Sequence, residues 1–247
     1  MNRLGILDWG IGGISIYRLV RERLGVPVVY FSDTGATPYG KMAATELSQR
    51  LDTVIGFLKQ RGVSHLVIGC NAASTAIPRL SDQGLIVEGM IDNAIAAALE
   101  FEPTRLAVLG GRRTVLSGVY RKGFARHGIA VEQRIAQPLS GLIESGDVSS
   151  DGLRAEAERI LRPIRNSSHI LLACTHYPAI TPVLKEFVSP TTVFIDPAAS
   201  LVEKVSGWRI DRKTGDEFFT SGDPESMKRS AKLAFDVDIA AISTVRL

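Results

Sequence analysis

The chain has 247 residues, 45% of them hydrophobic and 22% charged, with a net charge of +3, the balance of a globular chain able to bury one large core or two. The charge is too small and the basic residues too scattered for a nucleic-acid partner. No apolar run reaches the roughly 18–20 residues of a membrane helix, and two cysteines without CxxC spacing give neither a disulfide framework nor a metal site. The opening MNRLGILDWG lacks a basic-then-apolar signal pattern, so a cytoplasmic protein is expected.

In chain order, short apolar runs alternate with amphipathic stretches. LGILDW reads as a strand, ISIYRLVRERL as a helix after a glycine turn, VPVVYFSD as a strand, and ATELSQRLDTVIGFLKQRG as a helix with apolar residues three to four apart. HLVIGC is apolar throughout, as a buried parallel strand should be. AASTAIPRL (helix), LIVEGMI (strand), NAIAAALEF (helix) and RLAVLGG (strand) follow. TVLSGVYRKGFARHG reads as one helix, AVEQRIAQ as a strand, SDGLRAEAERILRPIRN as a helix, HILLACTHYP as a strand, PAITPVLKEFV as a helix and TVFIDP as a strand. The basic residues Arg18, Arg21 and Arg23 fall on a predicted helix and read as a solvated face.

This order predicts α/β architecture with right-handed crossovers, and ligands beyond the carboxyl ends of the strands. Asp8, Asp33, Cys70, Gly110, Gly111, Cys174 and Asp196 all fall at or just past strand ends, on one rim. LVIGCNAAS and ILLACTHYP are alike in pattern, as are LGILDWGIGG and LAVLGGRRT. Two facing, pseudo-symmetric α/β domains with mainly parallel sheets would put one cysteine on each wall of a cleft between them.

Two features bear on chemistry. The loop Gly10-Ile11-Gly12-Gly13-Ile14-Ser15, with Asp33 ending the next strand, is a degenerate form of a dinucleotide fingerprint. Its other reading is a tight turn that sets helix-to-strand packing. Cys70 and Cys174 each read as buried core or as reactive thiols. Asn71 follows the first, Thr175 and His176 the second, and each cysteine sits where a helix is expected to begin, so that free N–H groups would favour a thiolate. His176 is either a histidine satisfied by a loop hydrogen bond or a group that sets the thiol's protonation. A Cys–His hydrolase would leave the matching Cys70 unexplained.

Ordered blocks along nearly the whole chain resemble bacterial glutamate racemase, of the aspartate/glutamate racemase family: Asp8-x-Gly10-x-Gly12-Gly13, VVYFSDTGATPYGK, VIGCNAAS, TVLSGVY, LIESG, LLACTHYP and FFTSGDP. The resemblance implies that Cys70 and Cys174 are the two catalytic thiols and that Asp8, Glu144 and His176 are auxiliary acid/base residues. It implies that Asn71, Thr114 and Thr175 hold the α-amino-acid end of the substrate, and that Pro38, Tyr39 and Gly40 lie by its side-chain carboxylate. The implied domains are 1–92 plus 206–247, carrying Cys70, and 93–205, carrying Cys174. No cofactor and no metal are implied. The implied partner is a small amino acid, an assembly as a homodimer is compatible with the family, and its usual role is D-glutamate supply for peptidoglycan. Members remove the Cα proton on one face and deliver another on the opposite face; the first-half cysteine acts on the D-isomer and the second-half cysteine on the L-isomer.

Three positions depart from the pattern. Trp9 and Ala72 stand where the family has hydroxyl side chains lining the substrate site, and Gly111 replaces a threonine beside Arg112 and Arg113. Each lost hydrogen bond to a charged group is worth roughly 1.5–3 kcal/mol. Arg112 or Arg113 is a candidate replacement clamp for a carboxylate. Glutamate is the expected substrate; aspartate or a less polar amino acid is the alternative, and a catalytically silent amino-acid-binding homologue is a third reading.

Overall fold

All six residues of β1 (Arg3–Asp8) are buried, because parallel strands flanked on both sides must be covered on both faces. The computed structural model describes residues 2–81 and 84–247. From β1 the chain runs through α1 (Ile14–Arg23), β2 (Val28–Ser32), α2 (Ala44–Gln60), β3 (Val63–Ile68), α3 (Asn71–Ser74), β4 (Ile86–Gly89) and α4 (Met90–Leu99). The second run comprises β5 (Leu106–Gly110), α5 (Arg112–Ser117), α6 (Val119–Ala125), β6 (Val131–Ile135), α7 (Gln137–Glu144), α8 (Asp151–Leu161), β7 (His169–Ala173), α9 (Thr181–Lys185), β8 (Val193–Ile195) and α10 (Ala198–Val205). β9 (Glu217–Thr220), α11 (Pro224–Phe235) and β10 (Ser243–Thr244) close the chain.

Two all-parallel sheets result, ordered β10-β9-β2-β1-β3-β4 and β6-β5-β7-β8. The α/β class with two parallel sheets is the one read from the sequence. The order β2-β1-β3-β4 of the first sheet repeats in the second as β6-β5-β7-β8, so β3 and β7, the strands that lead to Cys70 and Cys174, hold equivalent places. β9 and β10 extend the first sheet beyond β2. A shared core joins the halves: Leu4, Ile6 and Ile14 belong to the same buried cluster as Leu109, Ile170 and Leu172, and α10 and α11 contribute Leu201 and Phe235.

Several expected elements differ in extent. The run expected as one helix over TVLSGVYRKGFARHG is α5 and α6, broken at Gly118, whose φ of +70° is left-handed backbone that glycine adopts without strain. AASTAIPRL gives only the single turn of α3 and a tighter turn over Ile77–Arg79, because Pro78 cannot continue the helical ladder. LIVEGMI ends as a strand at Gly89, and Met90 already opens α4. PAITPVLKEFV is a short turn over Tyr177–Ile180 and then α9, the break falling before Pro182. Arg18, Arg21 and Arg23 are exposed on α1 as expected. Among the described residues no helix is long and apolar enough to cross a membrane.

Candidate active site

The strand registers bring the rim together. Leu7 of β1 pairs with Ile68 of β3, so Asp8 and the Cys70 loop leave adjacent strand ends. In the other sheet Gly110 of β5 pairs with both Ala173 of β7 and Ile135 of β6, so Gly111, Cys174 and Gln137 emerge side by side. The two rims face one another across a cleft. Of the residues singled out in the sequence, Asp8, Trp9, Pro38, Tyr39, Gly40, Cys70, Asn71, Ala72, Thr114, Cys174, Thr175 and His176 line it; Glu144 stands behind His176.

On one wall, Cys70 is buried beside Asp8. Burial pushes the Cys70 thiol well above its ordinary pKa, and the Asp8 charge pushes it further; the backbone by Ala73 opposes them without prevailing. The sequence expectation that a helix start would favour the thiolate here is therefore corrected: α3 is one turn long, and burial outweighs it. Asp8 is itself pushed up by burial, against the pull of His176, Thr175, Cys70 and the Trp9 amide. Its carboxylate accepts the Trp9 N–H at 2.6 Å and the Thr175 hydroxyl at 2.7 Å, a bond from one half to the other.

On the other wall, Cys174 Sγ lies 3.7 Å from His176 Nδ1, and His176 Nε2 lies 2.6 Å from Glu144 Oε2. Burial lowers the His176 pKa, but its hydrogen bonds to Cys174 and Glu144 and their charges outweigh burial and hold it well above the ordinary histidine range. Glu144 also accepts the Ile11 N–H at 2.9 Å. A thiol, an imidazole and a carboxylate in series form a proton path that ends at the cleft.

The glycine loop explains how these groups come so close. A Cβ on Gly10 would run into the Glu144 carboxylate, and one on Gly12 into Thr175 and to within 2.7 Å of His176 Nδ1. The loop is bare so that the second half can press its catalytic candidates against β1. Asp33, the candidate ribose acid of the dinucleotide reading, has its oxygens taken by Arg50 at 2.6 and 2.8 Å, Tyr39 at 2.7 Å and Ser221 at 2.7 Å. It anchors the Pro38–Gly40 loop through the Tyr39 hydroxyl.

Asn71 is 2% exposed. Its Oδ1 accepts the Tyr120 hydroxyl at 2.5 Å, and its Nδ2 has no partner. A buried, unpartnered amide donor in the cleft wall is suited to an anionic ligand atom. Thr114 is buried on the same side.

The departures from the family pattern also have places. The Trp9 indole N–H donates to the Ala36 carbonyl at 3.2 Å, so this ring is tied to the first half while lining the cleft. Arg112 and Arg113 do not line the cleft, so neither forms the candidate carboxylate clamp there. Gln137 and Ser140, absent from the sequence reading, do line it. Gln137 Oε1 accepts the Arg112 N–H at 3.1 Å and would lie 3.0 Å from a Cβ on Gly111, so its amide occupies the space beside that glycine.

Residues 14–205 match the family described as Asp/Glu/Hydantoin racemase. The chain belongs to this family. Its enzyme class is that of an amino-acid racemase, an isomerase. Curated relatives include a glutamate racemase of Synechococcus sp. (strain CC9605), 36% identical over 82% of this chain and 78% of its own length. Another, from Pseudomonas paraeruginosa (strain DSM 24068 / PA7), is 32% identical over 92% of this chain and 91% of its own. Among solved structures, the glutamate racemase of Campylobacter jejuni subsp. jejuni superposes with a TM-score of 0.85 at 27% identity, covering 96% of this racemase and 99% of that chain. A glutamate racemase isoform of Bacillus anthracis shares the fold with a TM-score of 0.91 at 23% identity, covering 100% and 98%.

Proposed function

We propose that this racemase interconverts the enantiomers of glutamate by two-base proton transfer at Cα, with Cys70 and Cys174 as the bases. The observation that carries the reading is the pair of thiols at equivalent strand ends of the two sheets, lining one cleft, each with its own acid/base partner. Racemisation needs one thiolate and one thiol on opposite faces of the substrate carbon. Burial and the charge of Asp8 favour the protonated form of Cys70, while His176, held protonated, lies 3.7 Å from Cys174 Sγ. In the L-to-D direction Cys174 takes the Cα proton and Cys70 delivers its own from the other side. The reverse direction begins once Cys70 is the thiolate, Asp8 being the group placed to receive its proton. The carbanion-like state is stabilised by donors on the α-carboxylate, foremost Asn71 Nδ2, with Thr114 beside it. Thr175, fixed by Asp8, presents its oxygen to the substrate ammonium.

The same reading divides the chain into 1–92 plus 206–247 and 93–205; its support is that β9 and β10 pair onto the sheet of β1–β4. One observation favours a second substrate. Trp9 and the Gln137 amide occupy cleft wall where small hydroxyl groups are expected, and the cleft lining holds no lysine or arginine. With Trp9 and Gln137 on the wall, aspartate, whose acidic side chain is shorter, is the second candidate substrate.

The test is Cα–H exchange in D₂O over a panel of D- and L-amino acids, under reducing conditions. Exchange with glutamate, and its loss as racemisation in Cys70→Ser and Cys174→Ser, is expected. No exchange with any amino acid at high enzyme concentration, or full racemisation by either variant, refutes the mechanism; exchange confined to aspartate moves the assignment to the second substrate.

A further inference from the structure

Gln137 is the first residue of α7, and its half-buried side chain lines the cleft between two glycines. A Cβ on Gly40 would lie 2.7 Å from Gln137 Oε1, and one on Gly111 would lie 3.0 Å from it. A side chain at either position would crowd the amide. Gly40 belongs to the first half of the chain and Gly111 to the second, so the amide sits where the two rims meet.

Hydrogen bonds fix which way this amide faces. Oε1 accepts the Arg112 N–H at 3.1 Å, which the amide nitrogen could not do. Nε2 donates to Ser140 Oγ at 2.9 Å. Ser140 is 6% exposed and gives its one hydroxyl hydrogen to the Gln137 carbonyl at 2.8 Å, so its oxygen is the acceptor of the amide. One Nε2 hydrogen is thereby used, and the other has no acceptor among the described residues. Two side-chain amides of the cleft therefore hold an unused donor, Asn71 in the first half and Gln137 in the second. An amino acid with an acidic side chain brings two carboxylates.

We propose that Gln137 is a specificity-determining residue of this racemase, its Nε2 donating to the side-chain carboxylate of the substrate while Asn71 serves the α-carboxylate. The inference rests on the racemase reading and deepens it. With no lysine or arginine on the cleft lining, the side chain is recognised by a neutral, oriented donor rather than by an ion pair. A substrate without a side-chain acceptor would leave that donor unpaired, which is how a site built for hydrogen bonding rejects an apolar analogue. The same helix ends at Glu144, the partner of His176, so α7 carries substrate selection at one end and the imidazole's carboxylate at the other.

The experiment is calorimetric titration of the full chain with glutamate, aspartate and norvaline, the last having no side-chain acceptor. Wild type, Gln137→Leu and Gln137→Glu are compared, each also in a Cys70→Ser background so that turnover adds no heat. Gln137→Leu should weaken the acidic amino acids by about tenfold or more, with norvaline binding held or improved and the melting temperature unchanged. Gln137→Glu still offers an oxygen to the Arg112 N–H but sets a like charge against the substrate, and should weaken the acids further. Gln137→Ala/Gly111→Thr should recover part of the affinity lost in Gln137→Ala, because the threonine hydroxyl enters the space the amide leaves. Acid affinity in Gln137→Leu within about threefold of wild type overturns the inference, as does an equal loss for norvaline or no binding of either acid by the wild type. Cα–H exchange in D₂O separates the two proposals. Gln137-dependent binding without exchange sinks the racemase reading alone; exchange with an affinity indifferent to Gln137 sinks this inference alone.

Discussion

Replacing Gly12 by alanine probes the assembly of the site where the loop meets Thr175 and His176. The new Cβ would lie 2.7 Å from His176 Nδ1 and closer still to Thr175, whereas ordinary contact begins at 3.4 Å. The imidazole side must therefore retreat by about 0.7 Å. His176 is 3% exposed and held from behind by Glu144 at 2.6 Å, so it has nowhere to go without disturbing its contact with Cys174 or with Glu144. Overpacking of this kind costs about 1–3 kcal/mol of stability. Displacing a catalytic group by about 1 Å costs on the order of 10²-fold in rate. We expect kcat/KM for glutamate racemisation to fall by about that factor, with kcat carrying most of the loss. A chain of this size would melt some 2–4 °C lower for each kcal/mol lost. Polarimetric or circular-dichroism assays at a temperature well below the variant's melting point separate the two effects. Activity within twofold of wild type would refute the reasoning, because the bare loop would then have some purpose other than to admit Thr175 and His176.

Two further substitutions test the supports of the site. Tyr120→Phe keeps the ring packing against Phe124 but leaves Asn71 Oδ1 without its donor, so the amide can turn and withdraw Nδ2 from the substrate; kcat/KM should fall roughly tenfold with kcat sharing in the loss, given about 1–3 kcal/mol for an orphaned buried group. Adding Asn71→Ala to Tyr120→Phe should cost less than Asn71→Ala alone, since both act through one amide; a kcat/KM within twofold of wild type would show that Tyr120 does not position Asn71. In Glu144→Gln the imidazolium loses its carboxylate. A histidine whose folded pKa is raised stabilises the protein fully below its unfolded value near 6.5 and loses that contribution as pH rises through the folded value. The melting-temperature gap between wild type and variant should therefore be widest near pH 6 and narrow as pH rises; thermal melts showing a constant gap would contradict the assigned partnership.

The strands and their carboxyl-end residues were legible because a parallel strand buried on both faces is a run of apolar residues that ends where chemistry can begin. β1, β3, β5 and β7 declare themselves this way, and the paired patterns around Cys70 and Cys174 anticipate the matching order of the two sheets. What escaped depends on contacts distant in sequence. Asp33 sits on the rim like Asp8, yet its role is set by Arg50, Tyr39 and Ser221, the last 188 residues away. Nothing local separates a carboxylate that is spent from one that is free. Arg113 was suited by chemistry to a substrate carboxylate, and only the approach of Thr75 and Met42 from the other half turns it aside. Gln137 and Ser140 had a signal: Pro138, at the first turn of α7, is a residue that favours helix starts, and that helix delivers both side chains to the cleft and Glu144 behind it. The break at Gly118 was likewise marked by its glycine.

The repeated strand order makes the unequal surroundings of the two cysteines informative. A duplicated scaffold with identical surroundings would give two thiols of the same intrinsic proton affinity, with nothing to decide which of them carries a proton. The mechanism proposed above needs one of each. Here the first half supplies a buried carboxylate beside Cys70, which disfavours a second negative charge there. The second half instead places an imidazolium 3.7 Å from Cys174 Sγ, the opposite charge to that of Asp8. Asp8 and His176 also act on one another across the interface by charge, and Asp8 accepts the Thr175 hydroxyl beside His176. Movement of a proton on one wall therefore alters the electrostatic setting of the other. In the mechanism proposed above a single proton reverses its side with each turnover, which such a coupled pair would serve, and the glycine loop that lets Thr175 and His176 approach Asp8 is what makes the coupling close.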